Sequence, residues 1–169
     1  MAVACQAFES QAPKCQVEAL TKRYGTRAVV ENVSFEIAEG EFVVVLGPSG
    51  CGKTTTLRLV AGLAAADGGR VLLGGKAVSD AASGLFVRPE RRDIGMVFQS
   101  YAIWPHMNVF ENVAYPLRTR KTGRAAIDAK VKDILQLVGL GGLEARSGMQ
   151  LSGGQQQRVA VARGLVAQP

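Results

Sequence analysis

The chain has 169 residues, 47% hydrophobic and 20% charged, enough for one globular domain with a real core and too few for a second full one. Its longest aliphatic stretch, residues 42–46, is strand-sized and far short of the roughly 18 apolar residues of a membrane-spanning helix, so any membrane role is expected to be peripheral. The formal charge of +6 raises nucleic acid or an anionic membrane as partners, yet the positive residues are scattered except in residues 118–124, a run without aromatics that reads as a solvated loop or a docking patch.

Residues 1–14 lack a basic stretch followed by an apolar one, so they read as a loose tail rather than a secretory signal. Three irregularly spaced cysteines suit neither a disulfide framework nor a zinc site and favour a reducing compartment. From Gln16 the pattern is strand-like. Residues 29–37 alternate apolar with polar, and after a turn at residues 38–41 the run FVVVL is expected to be a buried third strand. A helical period begins at Lys53, with Leu57, Val60 and Ala61 on one face. A short strand at residues 70–75 and a charged segment at residues 88–93 lead to IGMVF, which reads as another buried strand ending at Gln99. From Asn108 the character is helical, and Ile127, Val131, Ile134, Leu135 and Val138 mark an amphipathic helix that stops at residues 139–142. LSGG at residues 151–154 then precedes a last helix that runs to Pro169.

The strongest chemical signal is Gly47-Pro48-Ser49-Gly50-Cys51-Gly52-Lys53-Thr54, an intact G-x-x-x-x-G-K-[ST] between a strand and a helix, followed by Thr55. Glycines let successive backbone N–H groups turn toward phosphate oxygens, and the helix N-terminus adds a favourable field. Lys53 would reach the β- and γ-phosphates of ATP, and the Thr54 hydroxyl would ligate Mg²⁺. Cys51 is either a thiol poised beside the nucleotide or a small residue at a variable position. A second anion-ready helix start follows in Leu151-Ser152-Gly153-Gly154-Gln155, where Ser152 takes the N-cap position.

The pair GPSGCGKTT and LSGGQQQR resembles the Walker A and signature motifs of ATP-binding-cassette (ABC) transporter ATPases, and the resemblance covers about residues 16–169. It implies an α/β fold: a P-loop NTPase core with an N-terminal antiparallel β-subdomain and a helical subdomain, incomplete at the C-terminus. The expected division is a β-subdomain and P-loop core over residues 15–99, a Q-loop and helical subdomain over 100–152, and a signature helix over 153–169. In this family the nucleotide lies between the P-loop of one subunit and the signature of another, so Ser152, Gly153, Gly154 and Gln155 would act in trans. Tyr24 resembles the aromatic that stacks on adenine; a tyrosine packed on the strands is the alternative. Gln99 matches the Q-loop glutamine, which touches the metal and positions the attacking water; a polar residue at a strand end is its alternative. Residues 100–117 are similar to importers of the ferric-iron, polyamine and sugar type, where this region faces the permease. Trp104 and Met107 could dock there or fill a core. His106, with no second ligand at metal spacing, reads as neither metal ligand nor general base.

The resemblance further implies a second ATPase subunit (most simply a homodimer), transmembrane permease subunits, indirectly an extracytoplasmic solute-binding protein, no nucleic acid, and a peripheral place on the cytoplasmic face of the membrane. The family's Walker B strand, ending in a metal-holding Asp and a water-activating Glu, has no counterpart before Pro169, so the catalytic base is unassigned and slow hydrolysis is expected of these residues alone. Two other readings stand beside this one. A non-transport ABC ATPase acting on nucleic acid would need long arms, and only about fifty residues separate Gln99 from Leu151. A nucleotide-binding module without hydrolysis would bind ATP and release no phosphate.

Overall fold

The structure, a computed structural model, describes residues 13–167. It forms two compact units, one running to Asp93 and the other starting at Ile94. Most of the expected tail, residues 1–12, and the end of the expected last helix, residues 168–169, lie outside the described residues.

The first unit is built on a five-stranded antiparallel sheet: β1 (Cys15–Tyr24), β2 (Arg27–Ile37), β3 (Gly68–Leu73), β4 (Lys76–Asp80) and β5 (Leu85–Phe86), in the order β2-β1-β3-β4-β5. Alternation along β1 and β2 makes this sheet amphipathic, and Val17, Leu20, Val30, Val71 and Val78 form one buried cluster. One helix, α1 (Lys53–Val60), covers that cluster through Leu59, which is 1% exposed. Of the expected apolar face of this helix, Val60 packs against the cluster and Ala61 is buried, but Leu57 is not. Leu57 is 52% exposed, while Thr56 and Leu59 are buried, because the antiparallel sheet presents its apolar surface to that side of the helix.

Neither expected buried strand forms. Residues 42–46 run without a ladder partner and leave Phe42 89% and Leu46 85% exposed, and IGMVF, in the second unit, likewise belongs to no strand. A run of Val, Ile and Phe has strand propensity, but a strand exists only when a neighbour takes up its N–H and C=O groups. Among the described residues no segment does so for either run.

The second unit is helical: α2 (Val109–Thr119), α3 (Arg124–Leu137) and α4 (Gly153–Leu165). The expected amphipathic helix is α3, with Ile127, Val131 and Leu135 buried and Ile134 and Val138 packed at the margin of the core. That core joins Val109, Val113 and Leu117 of α2 to Val159 and Ala162 of α4. α2 begins with a reciprocal cap in which Asn108 accepts from the Glu111 amide and the Glu111 carboxylate accepts from the Asn108 amide. No helix of the described residues is long and apolar enough to cross a membrane.

Candidate functional site

The phosphate loop sits between the unpaired residues 42–46 and α1. Gly52, the residue before Lys53, has φ 97°, and a Cβ there would collide with the Val29 carbonyl oxygen of β2. Only glycine allows this turn to press against the sheet and still start a helix. α1 has no side-chain cap and no acidic residue in its first turn, so the positive end of the helix is left without a counter-charge. The Lys53 ammonium folds back over this end. It donates to the Gly47 and Pro48 carbonyls at 2.7 Å each and lies 3.6 Å from Cys51 Sγ.

This arrangement fits a triphosphate. The three partners of Lys53 are weak or neutral acceptors that phosphate oxygens can replace, and charged acceptors make the stronger bond. Ser49, Gly50 and Thr54 are exposed beside it and Thr55 is half-buried, so the Thr54 hydroxyl is free to serve as a hard oxygen ligand of the kind Mg²⁺ takes. Tyr24 ends β1, is 54% exposed, and has the Lys22 ammonium 5.6 Å from its ring centre. About half of its surface is open, which leaves a ring face available for stacking.

The remaining candidates belong to the second unit. Gln99 is exposed in a turn closed by the Tyr101 amide donating to the Phe98 carbonyl at 2.9 Å. Ser152 caps α4: its hydroxyl accepts from the Gln155 amide, and Gln155 Oε1 accepts from the Ser152 amide at 2.9 Å. Both side chains are thus committed to the helix start. The exposed Gly153 and Gly154 are left to present backbone N–H groups to an incoming anion.

Three residues that shape these sites were not singled out from sequence. Arg92, 3% exposed, donates to the carbonyls of Val87, Leu59, Val60 and Val78, and so ties the last turn of α1 to β4. Burial lowers its pKa from the ordinary arginine value. Asn112 is fully buried on the apolar side of α2; its Oδ1 accepts from the Trp104 amide, and its Nδ2 lies within hydrogen-bonding distance of the Trp104, Met107 and Asn108 carbonyls. A polar residue on an apolar helical stripe was the available signal for Asn112. Arg163, in the last turn of α4, donates to the Tyr101 and Ala102 carbonyls, and neither this pairing nor that of Arg92 leaves a mark in local sequence.

Trp104 and Met107 are both half-buried, and Asn112 bonds the backbone of each. Of the basic run, Arg118, Arg120, Lys121 and Arg124 are exposed around the end of α2.

The ABC transporter family profile matches residues 30–169. The trehalose/maltose import ATP-binding protein of Thermococcus litoralis is 50% identical over 148 residues, covering 88% of this chain and 40% of that protein. A spermidine/putrescine import ATP-binding protein of Clostridioides difficile is 49% identical over 150 residues, or 89% of this chain and 42% of the relative. A Fe(3+) ions import ATP-binding protein of Photorhabdus laumondii is 47% identical over 154 residues, or 91% and 42%. The chain spans about two fifths of the length of the curated relatives it matches.

Proposed function

From the premise that this chain belongs to the ABC transporter family, we propose that it is the ATP-binding part of an importer ATPase, coupling ATP binding and hydrolysis to solute uptake. The observation that carries this reading is the uncapped start of α1, with the Lys53 ammonium held over it by carbonyls that phosphate can displace. ATP enters by exchanging the Gly47 and Pro48 carbonyls for its β- and γ-phosphate oxygens on Lys53, while the amides of residues 50–55 turn toward the same charge. Tyr24 offers a ring face to adenine. Thr54 and Gln99 are the Mg²⁺ ligands of this reading, and the metal would neutralise charge on the transferred phosphoryl group. Gln99 also orients the attacking water.

In a dimer, Gly153 and Gly154 present their amides to the nucleotide held by the partner's P-loop, with Ser152 and Gln155 fixing the helix that carries them. Hydrolysis, permease subunits, a solute-binding protein and a peripheral place on the cytoplasmic face belong to the complete subunit. No group placed here acts as general base. Relatives named for a sugar, a polyamine and an iron import system each match about nine tenths of this chain, which supports a role for this segment common to different solutes.

Equilibrium dialysis with radiolabelled ATP tests the reading. Lys53→Ala removes charge-assisted contacts of about 1.5–3 kcal/mol and is expected to weaken ATP about 10- to 100-fold. Affinity unchanged by this substitution would rule out the site.

A further inference from the structure

Gln99 is flanked on both sides by segments seated on the last turn of α4. Before it, Gly95 lies so close to the helix that a Cβ there would stand 2.6 Å from the Gly164 carbonyl oxygen, and a Cβ added at Gly164 would stand 3.5 Å from Val97 Cγ2. After it, Arg163 Nη1 donates to the Ala102 carbonyl at 2.7 Å and Nη2 to the Tyr101 carbonyl at 2.8 Å. Those two residues have φ of 46° and 61°, a left-handed conformation that residues bearing a Cβ rarely adopt. The guanidinium also lies 4.6 Å from the Trp104 ring centre, and that ring packs at 4.6 Å against Tyr115 of α2. Arg163 thus holds a strained pair of peptides whose neighbours offer no other donor for those carbonyls among the described bonds.

We propose that Arg163 is a positioning residue for Gln99: it locks the turn that carries Gln99 onto α4, so that Gln99 and the Ser152–Gln155 helix start move as one rigid piece. The planar fork is essential, because two carbonyls and a ring face are engaged at once, which a lysine ammonium cannot match. A nucleotide bound at the start of α4 would then shift Gln99 and Trp104 together. The inference rests on the ATP-binding role proposed above.

The test uses the full subunit assembled with its partners and three readouts: ATP affinity by equilibrium dialysis, ATP turnover, and acrylamide quenching of Trp104, the single tryptophan of this sequence, with Trp104→Phe as blank. Arg163→Lys should increase Trp104 quenching, leave ATP affinity within about twofold, and lower turnover about 10- to 100-fold, the scale of a misplaced reacting group. In a Gln99→Ala background the same substitution should cost nothing further, since the two act as a unit. Losses that multiply, or turnover unaffected by Arg163→Lys, would overturn the proposal. Should Arg163→Lys fail to fold, the unaltered protein still decides: saturating ATP must change Trp104 quenching, and a silent Trp104 with ATP bound overturns the lock. Unaltered protein that binds no ATP removes the functional reading itself, a result visible without any variant.

Discussion

Leu59 and Val60 end α1, and the carbonyls of both accept from one guanidinium. Arg92 reaches them at 3.0 and 2.8 Å while its other nitrogens satisfy Val87 and Val78. A cation at a helix C-terminus is favoured by the helix dipole, and here it sits at the end opposite the one that would receive phosphate. Shortening the residue to an apolar side chain takes the donor from the Val60 and Val87 carbonyls, each worth about 1–3 kcal/mol when unpaired, while those of Leu59 and Val78 keep the Gly62 and Val87 amides. Arg92→Met is therefore expected to lower stability by about 3 kcal/mol or more, read as a fall in the urea midpoint at unchanged slope. Because the phosphate loop hangs on α1, ATP affinity should fall in the same variant. Nothing in the run RPERRD separates Arg92 from its neighbours Arg88 and Arg91, which are both exposed. The difference is made by the four carbonyls that converge on one point in space, and such convergence is invisible to a reading along the chain.

At the scale of elements, β1 is fastened to the approach of β3 by Asp67. One carboxylate oxygen accepts from the Arg23 amide at 2.7 Å, the other from Lys22 Nζ at 3.0 Å, and the Asp67 amide donates to Thr21. The Arg23 amide first, and the Lys22 ammonium after it, hold this carboxyl below the ordinary aspartate range. A carboxylate depressed in the folded state gives stability that is present above its unfolded pKa and lost as pH falls through its folded one. Thermal melts of the native protein should thus drop on acidification below the usual aspartate range, and Asp67→Asn should be less stable at neutral pH with a shallower acid limb. Asp67 lies just ahead of β3, and its latch onto β1, more than 40 residues back, could not be read from that position. What could be read were patterns of period: the alternation that makes β2, the 3.6-residue stripe that makes α3, and the Ser-x-x-Gln box that starts α4. The phosphate loop was legible because its chemistry is local, with every glycine and Lys53 inside eight residues. FVVVL and IGMVF were misread for the opposite reason, since strand propensity belongs to a segment and strand formation to a pair.

At the scale of the whole molecule, those two segments leave runs of exposed apolar side chains among the described residues. Phe42, Val44 and Leu46 are 89%, 58% and 85% exposed, and Val97 and Phe98, in the other unit, are 45% and 37% exposed. Each run is five residues without charge or proline, with backbone groups that no ladder among the described residues satisfies. Such a run is a template for pairing with another chain. The polypeptide of these 169 residues should therefore associate with rising concentration, and light scattering at several concentrations would record it. Val44→Lys places a charge in the middle of the first run, the device by which natural edges avoid pairing. It removes no buried contact, because Val44 is exposed, so it should raise the soluble fraction while leaving the melting of the antiparallel sheet unchanged. An increase in solubility with loss of that sheet would mean instead that residues 42–46 pack against it in solution. No change in solubility would mean that association runs through another surface, with Leu57 of α1 and Phe98 the next candidates to carry a charge.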